Sequence, residues 1–248
     1  MKVIVIIPAA GLGTRMASST ATAQGRARSK QFAELEGVPI LIHTLRKFAE
    51  APEISEIWVA MRNTESELFR EEARKYELSR RVQIVEGGEH RQQSVGNALN
   101  ALQAAEDDIV LIHDAVRPFV TSATIAAVIA GVKQHGAAIA GVPAVDTIKQ
   151  VERTADGAVI TATIPREMIV QAQTPQGFRF GLLKRAFDDA TAEGFLGTDE
   201  ASLLERLGQP VHVVMGSAHN IKITTPADLE LAEFFISVEN RRKASIPG

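Results

Sequence analysis

Short β-branched runs alternate along the chain with stretches of helical periodicity, and that alternation predicts an α/β fold with a largely parallel sheet. The first run, Val3 to Ala9, is apolar throughout, as a strand covered on both faces should be. Further strands are predicted at Glu56 to Met61, Val82 to Val85, Ile109 to His113, Ala137 to Val142, Val211 to Met215 and Ile221 to Thr224. Thr64 with Glu67 reads as a capping box opening a helix whose buried face includes Leu68, Ala73 and Tyr76. Thr225-Pro226 opens the last helix, with threonine as cap and proline in the first turn. That helix is expected to bury Leu229, Leu231, Ala232 and Phe235.

Two segments interrupt the alternation. Thr14 to Ser29 is rich in Ser, Thr, Ala and Gly, carries three arginines and shows no hydrophobic period. A loop of that length inside a domain is usually functional or disordered. The second segment is Asp146 to Val170, where Thr147 to Val151 and Val159 to Ile164 flank the turn signal Ala155-Asp156-Gly157. This pattern predicts an inserted β-hairpin. A lone hairpin is marginally stable, so it should pack on something, and a second subunit is the natural candidate. Residues 1–248 read as one domain, with the arm at about 146–170.

Composition narrows the class without choosing a chemistry. The 248 residues are 45% hydrophobic and 23% charged, ordinary for a globular protein. There is no cysteine, which excludes disulfides, thiol catalysis and cysteine-bound zinc. A formal charge of −3 advertises neither a nucleic-acid nor a membrane-surface partner. The apolar start is too short for a signal peptide, and no run reaches the ~20 residues of a membrane helix. A cytoplasmic protein is expected.

The first strand runs into Pro8-Ala9-Ala10-Gly11-Leu12-Gly13-Thr14-Arg15-Met16. Small residues there let backbone amides approach an anion closely. Met16 stands where a dinucleotide fingerprint needs its third glycine, and the Gly-Lys-Ser/Thr of a phosphate-binding P-loop is absent. What remains is a glycine loop with its own Arg15, followed later by Lys30, two cations able to close over a polyphosphate. The strand from Ile109 ends in His113-Asp114-Ala115-Val116-Arg117-Pro118, at the sheet edge where ligands gather. Asp114 is a natural oxygen ligand for Mg²⁺, and Arg117 could grip a phosphate. His113, inside an apolar run, is expected to be packed and hydrogen-bonded rather than catalytic.

The loop and the His-Asp-Ala motif are joined by Lys30-Gln31-Phe32, Gly87-Gly88-Glu89-x-Arg91-x-x-Ser94-Val95, Asp146-Thr147, Gln173-Thr174-Pro175-Gln176, Thr198-Asp199-Glu200-Ala201-Ser202 and Asn220-Ile221-Lys222-x-Thr224. Taken in this order the chain resembles the 2-C-methyl-D-erythritol 4-phosphate cytidylyltransferases nearly end to end. The resemblance implies a Rossmann-like nucleotidyltransferase fold whose β-hairpin arm interlocks a homodimer. It implies in-line attack of a methylerythritol phosphate oxygen on the α-phosphorus of CTP, with release of pyrophosphate. Arg15, Lys30 and Lys222 would stabilise the transition state, and Asp114 would bind Mg²⁺ beside the substrates. Ala9, Ala10, Gly11, Gly13, Gly88, Glu89 and Ser94 would hold the nucleotide. Arg117, Thr147, Arg166, Thr174 and Thr198 would surround the methylerythritol phosphate, with Thr147 and Arg166 acting on the neighbouring subunit's site. Glu200 and Asp199 are read as acids suited to a first helical turn.

Four departures stand out against the family pattern. The spacer before Lys30 is long, and Ser29 takes the place of a proline. Glu89 stands where aspartate is frequent, and Val145 where arginine is common. Two other functions fit parts of the pattern: a cytidylyltransferase for another polyol phosphate such as ribitol 5-phosphate, and a non-catalytic nucleotide-binding regulator.

Overall fold

A computed structural model describes residues 1–11, 29–79 and 81–244. The loop from Thr14 lies outside these residues up to 28, as do Gly13 and Arg15. The chain opens with β1 (Val3–Pro8) and, after a short turn at Lys30–Phe32, forms the two-residue strands β2 (Glu34–Leu35) and β3 (Val38–Pro39). Then follow α1 (Ile40–Ala49), β4 (Glu56–Met61), α2 (Asn63–Lys75), β5 (Val82–Glu86), α3 (Arg91–Ala101), β6 (Ile109–Ile112), α4 (Ser122–His135) and β7 (Ala137–Pro143). The hairpin strands β8 (Ile148–Thr154) and β9 (Gly157–Ile164) precede β10 (Val170–Arg179), α5 (Phe180–Ala192), α6 (Glu200–Arg206), β11 (His212–Met215) and α7 (Pro226–Ala244).

The main sheet has the order β11-β7-β10-β6-β1-β4-β5. All its pairings are parallel except those of β10, which runs antiparallel to both β6 and β7. β1 is flanked by β4 on one side and β6 on the other, so the strand order reverses there. A crevice opens at such a reversal, beyond the carboxyl ends of the strands.

Alternation of side chains along β1 divides the core. Val3, Val5 and Ile7 pack with Leu41, Leu45 and Phe48 of α1 and Val128 of α4, while Ile4 and Ile6 pack with Val95 and Leu99 of α3 and Phe187 of α5. A third cluster joins Leu35, Ile40, Val116 and Phe119 to Ile223 and to Ala232 and Ile236 of α7. It ties the far end of the chain to the segment after β6, which matters for the site.

Several local expectations change. Arg62 caps α2 without a side-chain bond, so Thr64 lies inside the first turn and forms no capping box, and Glu67 pairs with Arg70 and Arg74 instead. The buried face of that helix centres on Phe69 and Ala73, with Leu68 and Tyr76 at its margin. Ile221 to Thr224 is not a strand. Its Ile223 amide reaches Val116 alone, and Thr224 and Thr225 turn back to cap on Asp228. Leu231 is exposed, because the buried stripe of α7 runs through Ala232 and Ile236. The hairpin forms as expected, with Gly157 at φ 140° closing its turn, a backbone conformation that favours glycine.

Candidate active site

The crevice is lined by Pro8 to Gly11, Lys30 and Gln31, Gly88 to Arg91, Ser94, Asp114 to Val116 and Lys222. Its floor is two loops that touch. The Ala9 amide donates to the Ala60 carbonyl at 2.7 Å, and the Gly87 amide to that of Met61 at 2.7 Å. A Cβ on Gly87 would meet the Ala10 Cβ at 2.4 Å, so the contact needs glycine at one position and a small side chain at the other. Ser94, in the first turn of α3, accepts from the Gly88 amide at 3.0 Å and donates to the His90 carbonyl at 3.1 Å. Its hydroxyl shapes the loop. The Glu89 amide is held by the Gln93 side chain at 2.8 Å, leaving the Glu89 carboxylate exposed.

Asp114 is the centre of charge. Its Oδ2 lies 2.9 Å from Lys222 Nζ and 3.2 Å from Arg117 Nε, and its Oδ1 lies 3.4 Å from Arg91 Nε. Burial alone would raise the carboxyl, but Arg91, Lys222 and Arg117 outweigh it and hold it well below the usual carboxylate range. Arg91 Nη1 also reaches both oxygens of Glu200, at 2.6 and 2.8 Å. Glu200 is fully buried, and burial keeps its carboxyl above the ordinary value. It therefore does more than suit a helix terminus, while Asp199 supplies the N-cap of α6 through Ser202.

His113 is a structural residue, as its apolar setting foretold. It is fully buried, and its Nε2 lies 3.0 Å from the Arg117 carbonyl. Its Nδ1 lies 3.0 Å from Thr174 Oγ1, which accepts from the Asp114 amide at 3.1 Å. One proton arrangement satisfies all three contacts: Thr174 donates to Nδ1 and a neutral imidazole donates from Nε2. Burial pushes the imidazole down to about 4. Thr174 thus has its hydroxyl engaged beneath Asp114 and does not line the cleft.

Lys222 is placed by its neighbours. The Asn220 side chain donates to the Thr174 carbonyl at 2.8 Å, the Asn220 carbonyl accepts from Arg117 Nη1 at 2.7 Å, and the Ile223 amide donates to Val116 at 2.9 Å. Thr147, Arg166 and Thr198 are exposed and none lines the cleft; Arg166 Nη1 donates to the Val145 carbonyl at the base of the arm.

Among the described residues no group of three or more His, Asp or Glu side chains converges on a metal position. Asp114 can give Mg²⁺ one carboxylate, which such an ion commonly takes while completing its shell with phosphate oxygens and water, although its oxygens here already meet Lys222, Arg117 and Arg91. Arg91 and Gln31 enter the site although the pattern reading assigned them no role, and Glu200 enters it where only a helix-terminal acid was expected. Their signal was present, since Arg91 and Gln31 sit inside the recognised motifs, but their partners are remote in sequence.

The family model described as 2-C-methyl-D-erythritol 4-phosphate cytidylyltransferase matches residues 3–238. The protein of that name from Acidobacterium capsulatum is 58% identical over 98% of this chain and 100% of its own. That from Solibacter usitatus is 52% identical over 98% of each. The crystal structure of the Francisella tularensis 2-C-methyl-D-erythritol 4-phosphate cytidylyltransferase superposes with a TM-score of 0.78 at 37% identity, covering 94% of this chain and 99% of that one.

Proposed function

Because the chain belongs to the 2-C-methyl-D-erythritol 4-phosphate cytidylyltransferase family, we propose a role for each part of the cleft in that family's reaction. The protein is a nucleotidyltransferase that transfers CMP from CTP to 2-C-methyl-D-erythritol 4-phosphate in isoprenoid biosynthesis, releasing pyrophosphate. The observation that carries the assignment of roles is the cluster of Arg91, Arg117 and Lys222 around one buried aspartate, beside the two touching small-residue loops.

The two touching loops hold the nucleotide. Ala9, Ala10, Gly11, Gly88 and Glu89 face it, Ser94 acts by fixing the Gly88 turn, and Gly13, outside the described residues, joins them by the family resemblance. Lys30, Lys222 and Arg15 stabilise the negative charge that grows on the α-phosphate oxygens as the acceptor oxygen attacks in line. In phosphoryl-type transfer, positioning and charge stabilisation supply most of the rate. Asp114 would hold Mg²⁺, whose contribution when bound is to neutralise phosphate charge. Arg117 and Thr198 bind the acceptor's phosphate side, and Thr174 acts from below by fixing the Asp114 backbone. Thr147 and Arg166 serve the partner site of a homodimer; the exposed apolar residues Val151, Val159 and Ile160 of the arm support that assembly, since such side chains normally find cover. The cytoplasm is the expected compartment; no described helix is long and apolar enough to cross a membrane.

Pyrophosphate release with CTP and Mg²⁺, measured in parallel on methylerythritol phosphate and ribitol 5-phosphate, tests the reading. Turnover of the first substrate alone is expected. Turnover of the second at an equal rate would move the acceptor assignment, with Val145 at the arm's base the first position to exchange.

A further inference from the structure

Lys30 is flanked by two buried polar residues that share one acceptor. Ser29 and Gln31 are almost completely buried. The Ser29 hydroxyl donates to Glu65 Oε1, and Gln31 Nε2 lies 3.2 Å from Glu65 Oε2. Gln31 Nε2 also donates to the Ala9 carbonyl of the nucleotide loop. Lys30 opens a tight turn closed by the Phe32 amide on the Ser29 carbonyl at 2.9 Å and the Ala33 amide on the Lys30 carbonyl at 3.1 Å, with Phe32 buried beneath it. Glu65 lies in the first turn of α2, where a carboxylate is favoured by the helix dipole, and Phe69 anchors that helix in the core.

The backbone of Ser29 sits at φ −67° and ψ 152°. Proline is locked near φ −65° by its ring, whereas serine must be held there by its surroundings. Among the described residues nothing accepts from the Ser29 amide, and its carbonyl bond would survive in a proline. We propose that Glu65 is a positioning residue for Lys30: by binding Ser29 and Gln31 on either side, it supplies the rigidity that a proline before the lysine would otherwise give. The carboxylate bridges the two flanks of Lys30, and through Gln31 it couples the lysine to the Ala9 loop. The proposal rests on the reading of Lys30 as the cation at the reacting phosphate.

Four variants separate the possibilities. K30A tests the underlying reading, and its kcat should collapse at unchanged melting temperature. E65A should lower kcat about tenfold, the scale of a small misplacement of a catalytic group, with a smaller change in the KM for CTP. S29P should be nearly silent, and S29P in the E65A background should recover most of the lost kcat. That recovery is the decisive result, because a purely structural Glu65 offers proline no reason to restore turnover. E65A at wild-type kcat, with K30A inactive, would overturn the positioning role while leaving Lys30 in place. An E65A loss that S29P fails to rescue, or one matched by a loss of thermal stability, would also overturn it. A fully active K30A would remove the reading on which the proposal stands.

Discussion

The carboxylate of Asp114 stands 2.9 Å from the ammonium of Lys222, so a residue just past the sixth strand of the chain is paired with one just before the last helix. Neither position is enforced by the pair alone. Asp114 is set by Thr174 under its amide, and Lys222 by Asn220 and Ile223 on either side of it. The two segments meet because the third hydrophobic cluster buries Ile223 against Val116.

Removing each partner should therefore give different losses. In K222A, Asp114 keeps Arg117 and Arg91, so the fold should survive with a melting temperature within about 4 °C of wild type, while turnover falls by 10² or more, as for a lost charge at a developing oxyanion. In D114N, the largely buried Arg117 and the partly exposed Lys222 lose their counter-charge while Arg91 keeps Glu200, and a destabilisation of about 3 kcal/mol is expected together with the loss of turnover. Urea unfolding and steady-state kinetics on both variants check the contrast. Equal stability of the two would show that the aspartate does not organise the cluster.

Glu200 reaches the site only through Arg91, and E200Q should report that indirectness. The amide leaves the Arg91 charge balanced by Asp114 alone, drawing the guanidinium away from the α6 side of the cleft. A rise of about tenfold in the KM for CTP is expected, with a stability loss of about 2 kcal/mol from the weakened half-buried pair. Kinetics over a range of CTP at saturating acceptor would show it. An unchanged KM would confine Glu200 to anchoring α6.

Acid should destabilise the metal-free protein through its buried histidines, with Glu200, whose carboxyl burial holds above its ordinary value, pulling the other way. His113 is held neutral down to about pH 4, whereas an unfolded histidine takes its proton near 6.5. Within that window the unfolded chain binds a proton the folded one refuses, so stability falls as pH falls, by about 3 kcal/mol across the window. His43, also pushed down by burial, adds to the same slope. The depressed Asp114 has the usual carboxylate sign: its contribution is present above the unfolded value and is lost only as pH drops through its lower folded value. Urea midpoints from pH 7 to 4.5 in EDTA should show the decline, and H113Q should flatten part of it. An equal slope in H113Q would remove His113 as a source.

The sequence discloses the sheet better than it discloses the site's wiring, for physical reasons. Val3 to Ile7 is buried on both faces and reads as a strand from its apolarity alone. β10 pairs with two neighbours yet carries Gln171, Gln173, Thr174 and Gln176. Gln173, Thr174 and Gln176 serve a polar network and only Phe178 enters the hydrophobic core, so no period marks it. Asp114 could be picked out by its place after an apolar run. Arg117 could be picked out beside it, but the other two cations could not, because Arg91 and Lys222 come from remote segments and only the family resemblance ties Lys222 to the site. Thr174 and Ser94 were legible as residues near the chemistry, but their saturation by His113, Asp114, Gly88 and His90 depends on burial that local sequence does not encode.

The arm yields the sharpest test of assembly. Thr147 and Arg166 stand at the base of the exposed hairpin and away from their own cleft. In the proposed homodimer each arm completes the neighbouring site. K30A and R166A should then each be nearly inactive alone. Mixed after unfolding and refolding together, they should form heterodimers in which one site has an intact Lys30 and an intact arm from the other chain, while the second site carries both defects. With random pairing, half of the dimers are mixed, and about a quarter of wild-type activity should return, as two-fold symmetry requires of a shared site. Activity of the mixture no greater than the sum of its parts would place Arg166 in its own subunit's chemistry or outside the reaction, and R166A kinetics on methylerythritol phosphate would then separate those two outcomes.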